Sequence, residues 1–253
     1  MHAKIKPILI WLFALALSVS IAIVSRSSPA SLLAPPPPMA TRSFVLWLHG
    51  LGDSGPANEP IKSLFTSAQF RNTKWSFPSA PNNPVTCNNG AVMPSWFDIR
   101  QIPITANSPK NESSLLTAVR SVHSMLENEI ASGINPENIF VCGFSQGGAL
   151  ALASVLLYPK SLGGGAIFSG WVPFNNTILD QIPPEAKKTP ILWQHGIDDR
   201  VVLFEAGQEG PPFITKAGMT SEFKAHPHLQ HTISNEELKL LELWLKTRLP
   251  SSS

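Results

Sequence analysis

Short apolar runs alternate along this chain with longer stretches in which apolar residues recur every three or four positions. Short apolar runs at 44–48 and 139–142 predict strands, and further strands are expected at 74–77, 165–169, 190–194 and 221–225. The longer stretches predict helices. Leu115, Leu116, Val119, Val122, Met125 and Leu126 form one stripe over 113–130. Residues 146–157 are rich in Ala and Leu, and Leu238, Leu241, Trp244 and Leu245 give 235–249 an inner face. Shorter helices are expected at 59–65 and 204–217. Strand and helix thus take turns, which implies a mostly parallel sheet flanked by helices, an α/β fold with its chemistry on loops at the carboxyl ends of the strands. Only residues 78–103 break the rhythm. This span is rich in Pro, Asn and Gly and too long for a plain connection, so it reads as a lid or binding loop. Its Met93, Trp96 and Phe97 either roof an acyl pocket or tuck the loop onto the core.

The amino-terminal end has a different pattern. Residues 8–24 carry no charge, follow Lys4 and Lys6, and precede Arg26. That is longer than a usual secretory core and near the ~17-residue minimum for a membrane span. Ser28-Pro29-Ala30 makes a poor cleavage site, so a retained membrane anchor is expected, with a cleaved signal as the alternative. The prolines at 35–38 form a stiff spacer. The expected division is a hydrophobic segment at 1–30, a Pro-rich linker at 31–42 and a catalytic domain at 43–250. A start at Met39 would instead give a cytoplasmic protein.

Composition narrows the function. The chain has 253 residues, 43% of them hydrophobic, enough for one sizeable core. Its net charge of +2 arises from Lys4, Lys6, Arg26 and Arg42, because the remainder is slightly acidic. No basic run with interleaved aromatics occurs, so nucleic acid is not an expected partner. Cys87 and Cys142 are the only cysteines, and Cys142 lies in an apolar run, so no disulfide is expected. The sequons at Asn111 and Asn175 are no more than chance supplies.

Candidate chemistry centres on Gly143-Phe144-Ser145-Gln146-Gly147, where a strand gives way to a helix. So sharp a turn strains its central residue and lets only small residues stand at either flank, holding the Ser145 hydroxyl out at the tip of the sheet. The helix N-terminus behind it offers the Gln146 N–H to a developing oxyanion. The strand at 44–48 ends in His49-Gly50-Leu51-Gly52-Asp53-Ser54-Gly55, which leaves the Leu51 N–H as a second donor. A phosphate loop would need Gly-Lys-Ser/Thr, which is absent. A serine nucleophile needs a base and an acid, ordered Ser, acid, His in this arrangement. Asp198 and Asp199 follow one strand; His226, His228 and His231 follow the last. Three histidines on one loop without a nearby Glu ligand make a poor zinc site, so no metal or cofactor is expected.

Four motifs in order carry a family resemblance: His49-Gly50-Leu51-Gly52-Asp53, Met93-Pro94-Ser95-Trp96-Phe97-Asp98, Gly143-Phe144-Ser145-Gln146-Gly147-Gly148 and His195-Gly196-x-x-Asp199-x-x-Val202. The chain resembles the acyl-protein thioesterase/carboxylesterase family of α/β-hydrolases, in particular its plant carboxylesterase branch, from Ser43 to about Leu249. The resemblance implies a cofactor-free α/β-hydrolase fold cleaving acyl esters or thioesters, on acylated protein or small acyl ester substrates. It implies Ser145 as nucleophile, Asp199 as acid, His231 as base, and Leu51 and Gln146 as oxyanion donors. Asp53 is expected to pin the oxyanion turn, and Asp98 to hold the 78–103 loop. One departure stands out. Where the family loop usually reads Tyr-Pro-Gly-Leu-Gly-His-Ser, this chain has His226-Pro227-His228-Leu229-Gln230-His231-Thr232, with two glycines replaced. A positive φ at His228 would cost roughly 1 kcal/mol. Two other readings remain: a catalytically weak ligand-binding protein on the same scaffold, and a membrane-bound lysophospholipase.

Overall fold

A computed structural model describes residues 42–249. The apolar stretch at 8–24, the prolines at 35–38 and Met39 lie outside the described residues. In chain order the strands and helices are β1 (Ser43–Leu48), α1 (Gly55–Asn58), β2 (Thr73–Ser76), β3 (Asn82–Val85), β4 (Ala91–Pro94), α2 (Glu112–Ala131), β5 (Ile139–Phe144), α3 (Gln146–Leu156), β6 (Gly164–Phe168), β7 (Ile191–Gly196), α4 (Phe204–Gln208), α5 (Gly210–Lys216), β8 (Ser221–His226) and α6 (Asn235–Lys246). Six strands form one sheet in the order β2-β1-β5-β6-β7-β8, every neighbour parallel.

The central strands β1, β5, β6 and β7 are buried almost throughout because both faces of the sheet are covered there, while the edge strands β2 and β8 carry exposed polar positions. Phe44, Leu46 and Leu48 of β1 point to one face, with Ile139 and Val141 of β5. There they meet Leu115, Val119, Val122 and Leu126 of α2 and most of α3. Val45, Trp47, Phe140 and Cys142 point to the other face, against Leu238, Leu241, Trp244 and Leu245 of α6. The alternation along β1 thus divides the core between two helical layers.

Three expectations need correction. Residues 78–103 are not one irregular loop, for β3 and β4 pair antiparallel within them, from Asn82 opposite Pro94 to Val85 opposite Ala91. The hairpin turns at Asn89 and Gly90, with φ of 54° and 78°, a left-handed pair that Asn-Gly accepts readily. The helix expected over 204–217 is two short ones, because Pro211 and Pro212 in the first turn of α5 have no N–H for a continuing ladder. Similarly, 59–65 is a 3₁₀ turn, Glu59–Leu64, entered from α1.

The chain runs from β1 to β2 on one side, then crosses back to β5 on the other. The crevice beyond the carboxyl ends of β1 and β5 is therefore the switch point where α/β sheets place their ligands. The loops bearing Leu51 and Ser145 leave the sheet there.

Candidate active site

At the end of β5 the backbone enters an abrupt turn. Ser145 has φ 55° and ψ −120°, and α3 begins at the next residue. The turn is possible because its flanks have no Cβ: one on Gly143 would lie 2.2 Å from Gly147 O, and one on Gly147 2.0 Å from Leu48 O. Ser145 N donates to Phe168 O at 2.8 Å, tying the turn to β6.

The last two sheet strands bring the remaining groups. Asp199 follows β7, and its Oδ1 accepts from Val201 N and Val202 N, both at 2.9 Å. The loop after β8 is clamped to the same region, with Ile197 N on His226 O at 2.9 Å and Asp198 N on Leu229 O at 3.0 Å. A Cβ on Gly196 would stand 2.2 Å from Leu229 O, so these loops meet backbone to backbone. The outcome is a continuous chain of hydrogen bonds. His231 Nδ1 lies 2.7 Å from Asp199 Oδ2, and His231 Nε2 lies 2.9 Å from Ser145 Oγ. Phe144 packs on the His231 ring, centroids 4.7 Å apart. Asp198, the other carboxylate considered, sits half-exposed near the fully exposed His228, 3.8 Å away.

Burial works to raise the pKa of Asp199, but the hydrogen bond and charge of His231 and the two amides outweigh it and hold the carboxyl below its ordinary value. Asp199 is thus held as an anion beside the His231 ring. A second histidine supports it: the buried His195 directs Nε2 at Val202 O, 2.9 Å away, and lies 3.5 Å from Asp199 Oδ2.

Opposite the Ser145 hydroxyl, Gly50 and Leu51 close the site. Among the described residues neither Leu51 N nor Gln146 N has a hydrogen-bond acceptor. Asp53 binds Ser54 N at 2.7 Å and Asn58 Nδ2 at 2.7 Å, which stiffens the turn. Beside Ser145 lies a cavity of about 270 Å³, lined by Ile99, Ile102, Ile104, Trp171 and Val202.

A family described as phospholipase/carboxylesterase matches residues 36–249. A probable carboxylesterase SOBER1-like of Arabidopsis thaliana is 71% identical over 84% of this chain and 81% of that protein. Acyl-protein thioesterase 1 of Cryptococcus neoformans is 36% identical over 84% of this chain and 95% of that protein. The crystal structure of Arabidopsis thaliana SOBER1 superposes with a TM-score of 0.82 at 65% identity, covering 83% of this chain and all of that one. The chain belongs to the phospholipase/carboxylesterase family. It has the α/β-hydrolase fold.

Against the usual loop of this family, His228 is the informative departure. It adopts φ 60°, whereas Gln230, at the other replaced glycine, has no positive φ. The strained position is fully exposed, so the imidazole turns to solvent and leaves the His231 ring undisturbed. The three loop histidines diverge. His226 is buried against Gln194 Oε1 at 3.0 Å, His228 faces solvent, and His231 faces Ser145. Among the described residues no cluster of three or more metal-ligating side chains occurs.

Trp96 and Phe97 are tucked in rather than roofing the cavity beside Ser145. Trp96 Nε1 donates to His49 O at 2.9 Å, and the Phe97 ring sits 6.0 Å from that of Trp171. The apolar wall beside Ser145 comes instead from Ile99, Ile102 and Ile104. These were not singled out from the sequence, although three isoleucines within six residues of a polar loop were a visible sign. Ile104 reaches the site because it bridges to Val202, with its N–H on Val201 O at 2.8 Å. Asp98 accepts from Thr86 N and Oγ1 at 2.9 and 2.8 Å, holding the base of the hairpin. The Gln146 side chain, also unsuspected, binds Trp96 N, Ser95 Oγ and Phe97 O at 3.1, 3.0 and 2.6 Å.

Proposed function

We propose that the protein is a serine hydrolase of carboxylic esters and thioesters, with Ser145 as nucleophile, His231 as general base and acid, Asp199 as the anion behind it, and Leu51 N–H and Gln146 N–H as the oxyanion hole. The observation that carries this reading is the unbroken line Ser145 Oγ, His231, Asp199 at 2.9 and 2.7 Å, open to a cavity. His231 takes the hydroxyl proton as Oγ attacks the acyl carbon, and the carbonyl oxygen turns toward the two amides as it gains charge. The imidazolium then protonates the leaving alcohol or thiol. Water repeats the sequence on the acyl-serine and frees the acid.

The cavity size favours short acyl groups, since about 270 Å³ is below the ~300–1,000 Å³ of pockets for drug-sized ligands. Its walls are apolar, so the acyl moiety enters as hydrocarbon, while the leaving group, a small alcohol or a cysteine thiol on a protein surface, stays outside. The uncharged stretch at 8–24 adds a membrane anchor to this reading, with the domain held at a bilayer surface.

In a series of p-nitrophenyl esters, turnover should fall steeply beyond short acyl chains, and Ser145→Ala should abolish it. A fluorophosphonate should label wild type at Ser145. Turnover surviving in S145A would refute the nucleophile, while absent labelling in wild type would favour the ligand-binding reading. For the anchor, the full chain should float with phosphatidylcholine vesicles and a version begun at Met39 should not. Equal flotation of the two would remove the membrane reading.

A further inference from the structure

An oxyanion donor on a loop works only while its peptide plane faces the right way, because a rotated amide presents its carbonyl instead. In a trans peptide, the C=O of one residue and the N–H of the next point in opposite directions. Whatever holds Gly50 O therefore aims Leu51 N–H. Two donors hold it: His49 Nδ1 at 2.7 Å and Asp53 N at 3.2 Å. The shorter bond comes from a fully buried ring that cannot swing, for His49 Nε2 accepts from Ala80 N at 3.0 Å. A carbonyl only accepts and a backbone N–H only donates, so the ring carries its proton on Nδ1 and its lone pair on Nε2.

The ring is itself held. Trp96 packs on it with centroids 5.0 Å apart, and Trp96 N donates to Gln146 Oε1 at 3.1 Å. Gln146 and the histidine that holds Gly50 O are thus tied to the same Ser95–Phe97 strap. Burial lowers the His49 pKa, outweighing its bond to Gly50 and the charge of Asp53, so the neutral form is kept. A Cβ added to Gly50 would stand 3.4 Å from Ser145 Cβ, which puts the held peptide directly against the serine.

We propose that His49 is the positioning residue of the oxyanion hole, its Nδ1–H locking the Gly50–Leu51 peptide so that Leu51 N–H faces the space above Ser145. This rests on the reading of Ser145 as nucleophile and Leu51 as donor. The two nitrogens of the ring do separable work, and two variants separate them. His49→Asn keeps an N–H near the Nδ1 position, within reach of Gly50 O, but loses the acceptor for Ala80 N. His49→Gln reaches Ala80 N with its carbonyl and leaves Gly50 O to Asp53 alone.

The measurements are kcat and KM on p-nitrophenyl acetate, the inhibition constant of a short-chain trifluoromethyl ketone, and the melting temperature. H49Q should lose about 10²-fold in kcat with KM little changed, and bind the ketone weaker in proportion. H49N should keep most of its kcat. Equal losses in both variants, tracking their melting temperatures, would reduce His49 to a structural residue, as would wild-type kcat in H49Q. Histidine-¹⁵N spectra of the wild-type protein add an arm that needs no variant. His49 should show a protonated Nδ1 and a bare Nε2, and the opposite tautomer would overturn the proposal. Activity in S145A would sink the underlying reading and this inference with it; a dead S145A beside a fully active H49Q would sink the inference alone.

Discussion

Ser145 has φ 55° and ψ −120°, a conformation that costs a residue bearing a Cβ about 1–3 kcal/mol. The turn stores that strain to expose Oγ. Ser145→Ala and Ser145→Gly both remove the hydroxyl, but only the glycine relieves the backbone. S145G should therefore be the more stable of the pair by about 1 kcal/mol in denaturant melts, even allowing for the extra freedom of its unfolded chain. Equal stability would mean that the turn is not strained. At the other end of the hydrogen-bonded line, Asp199→Asn would place an amide on His231 Nδ1 and favour the wrong tautomer, with an expected loss of about 10⁴-fold in kcat and little change in fold. The placement of these residues was partly legible, because Ser145 announces itself by its glycine neighbours and Asp199 by its place after a strand. His49 and His195 gave no such sign, since their roles lie in what each ring nitrogen touches.

On the scale of elements, the turn at Ser145 depends on how closely β5 and α3 approach β1. Gly147→Ala would drive a Cβ to 2.0 Å from Leu48 O. That contact is with backbone, which cannot step aside cheaply, so a loss of more than about 3 kcal/mol is expected, and with it the labelling of Ser145. The start of α6 carries a pH dependence. Glu237 closes a capping box with Ser234 and is fully buried, with Oε1 unpartnered among the described residues. Burial raises its pKa from 4.5 to about 7, against the bonds from Ser234 and with help from the charges of Glu236 and Asp199. The folded state thus holds a proton that the unfolded chain releases above 4.5. The stabilisation is complete below that pH and is lost as pH rises through about 7, a span on the order of 3 kcal/mol. Glu237→Gln, which keeps an acceptor for Ser234 N, should flatten the stability profile between these pH values. A profile as steep as wild type would show that Glu237 is not the group responsible.

For the molecule as a whole, the parallel sheet supplies a crevice at the one place where its strand order reverses. The three side chains of the hydrogen-bonded line come from loops after three different strands, Ser145 after β5, Asp199 after β7 and His231 after β8. No covalent link assists them, as Cys87 and Cys142 are both free and burial raises the pKa of each thiol. Melting temperature should accordingly be the same with and without reductant.

The sequence by itself determined the alternation of strands and helices and the sharp turn at Ser145, and it pointed to Asp199 and His231 as the groups to look for beside it. These depend on neighbours within a few residues, on periodicity, and on glycine where a Cβ has no room. Only the tertiary structure decided which loops meet: that Ile104 bridges to Val202 and walls the cavity, that His228 turns outward while His231 turns in, and that one buried ring holds the Gly50 carbonyl. Such contacts join residues that are far apart in the chain, and their geometry is fixed by the packing of the sheet rather than by any local preference.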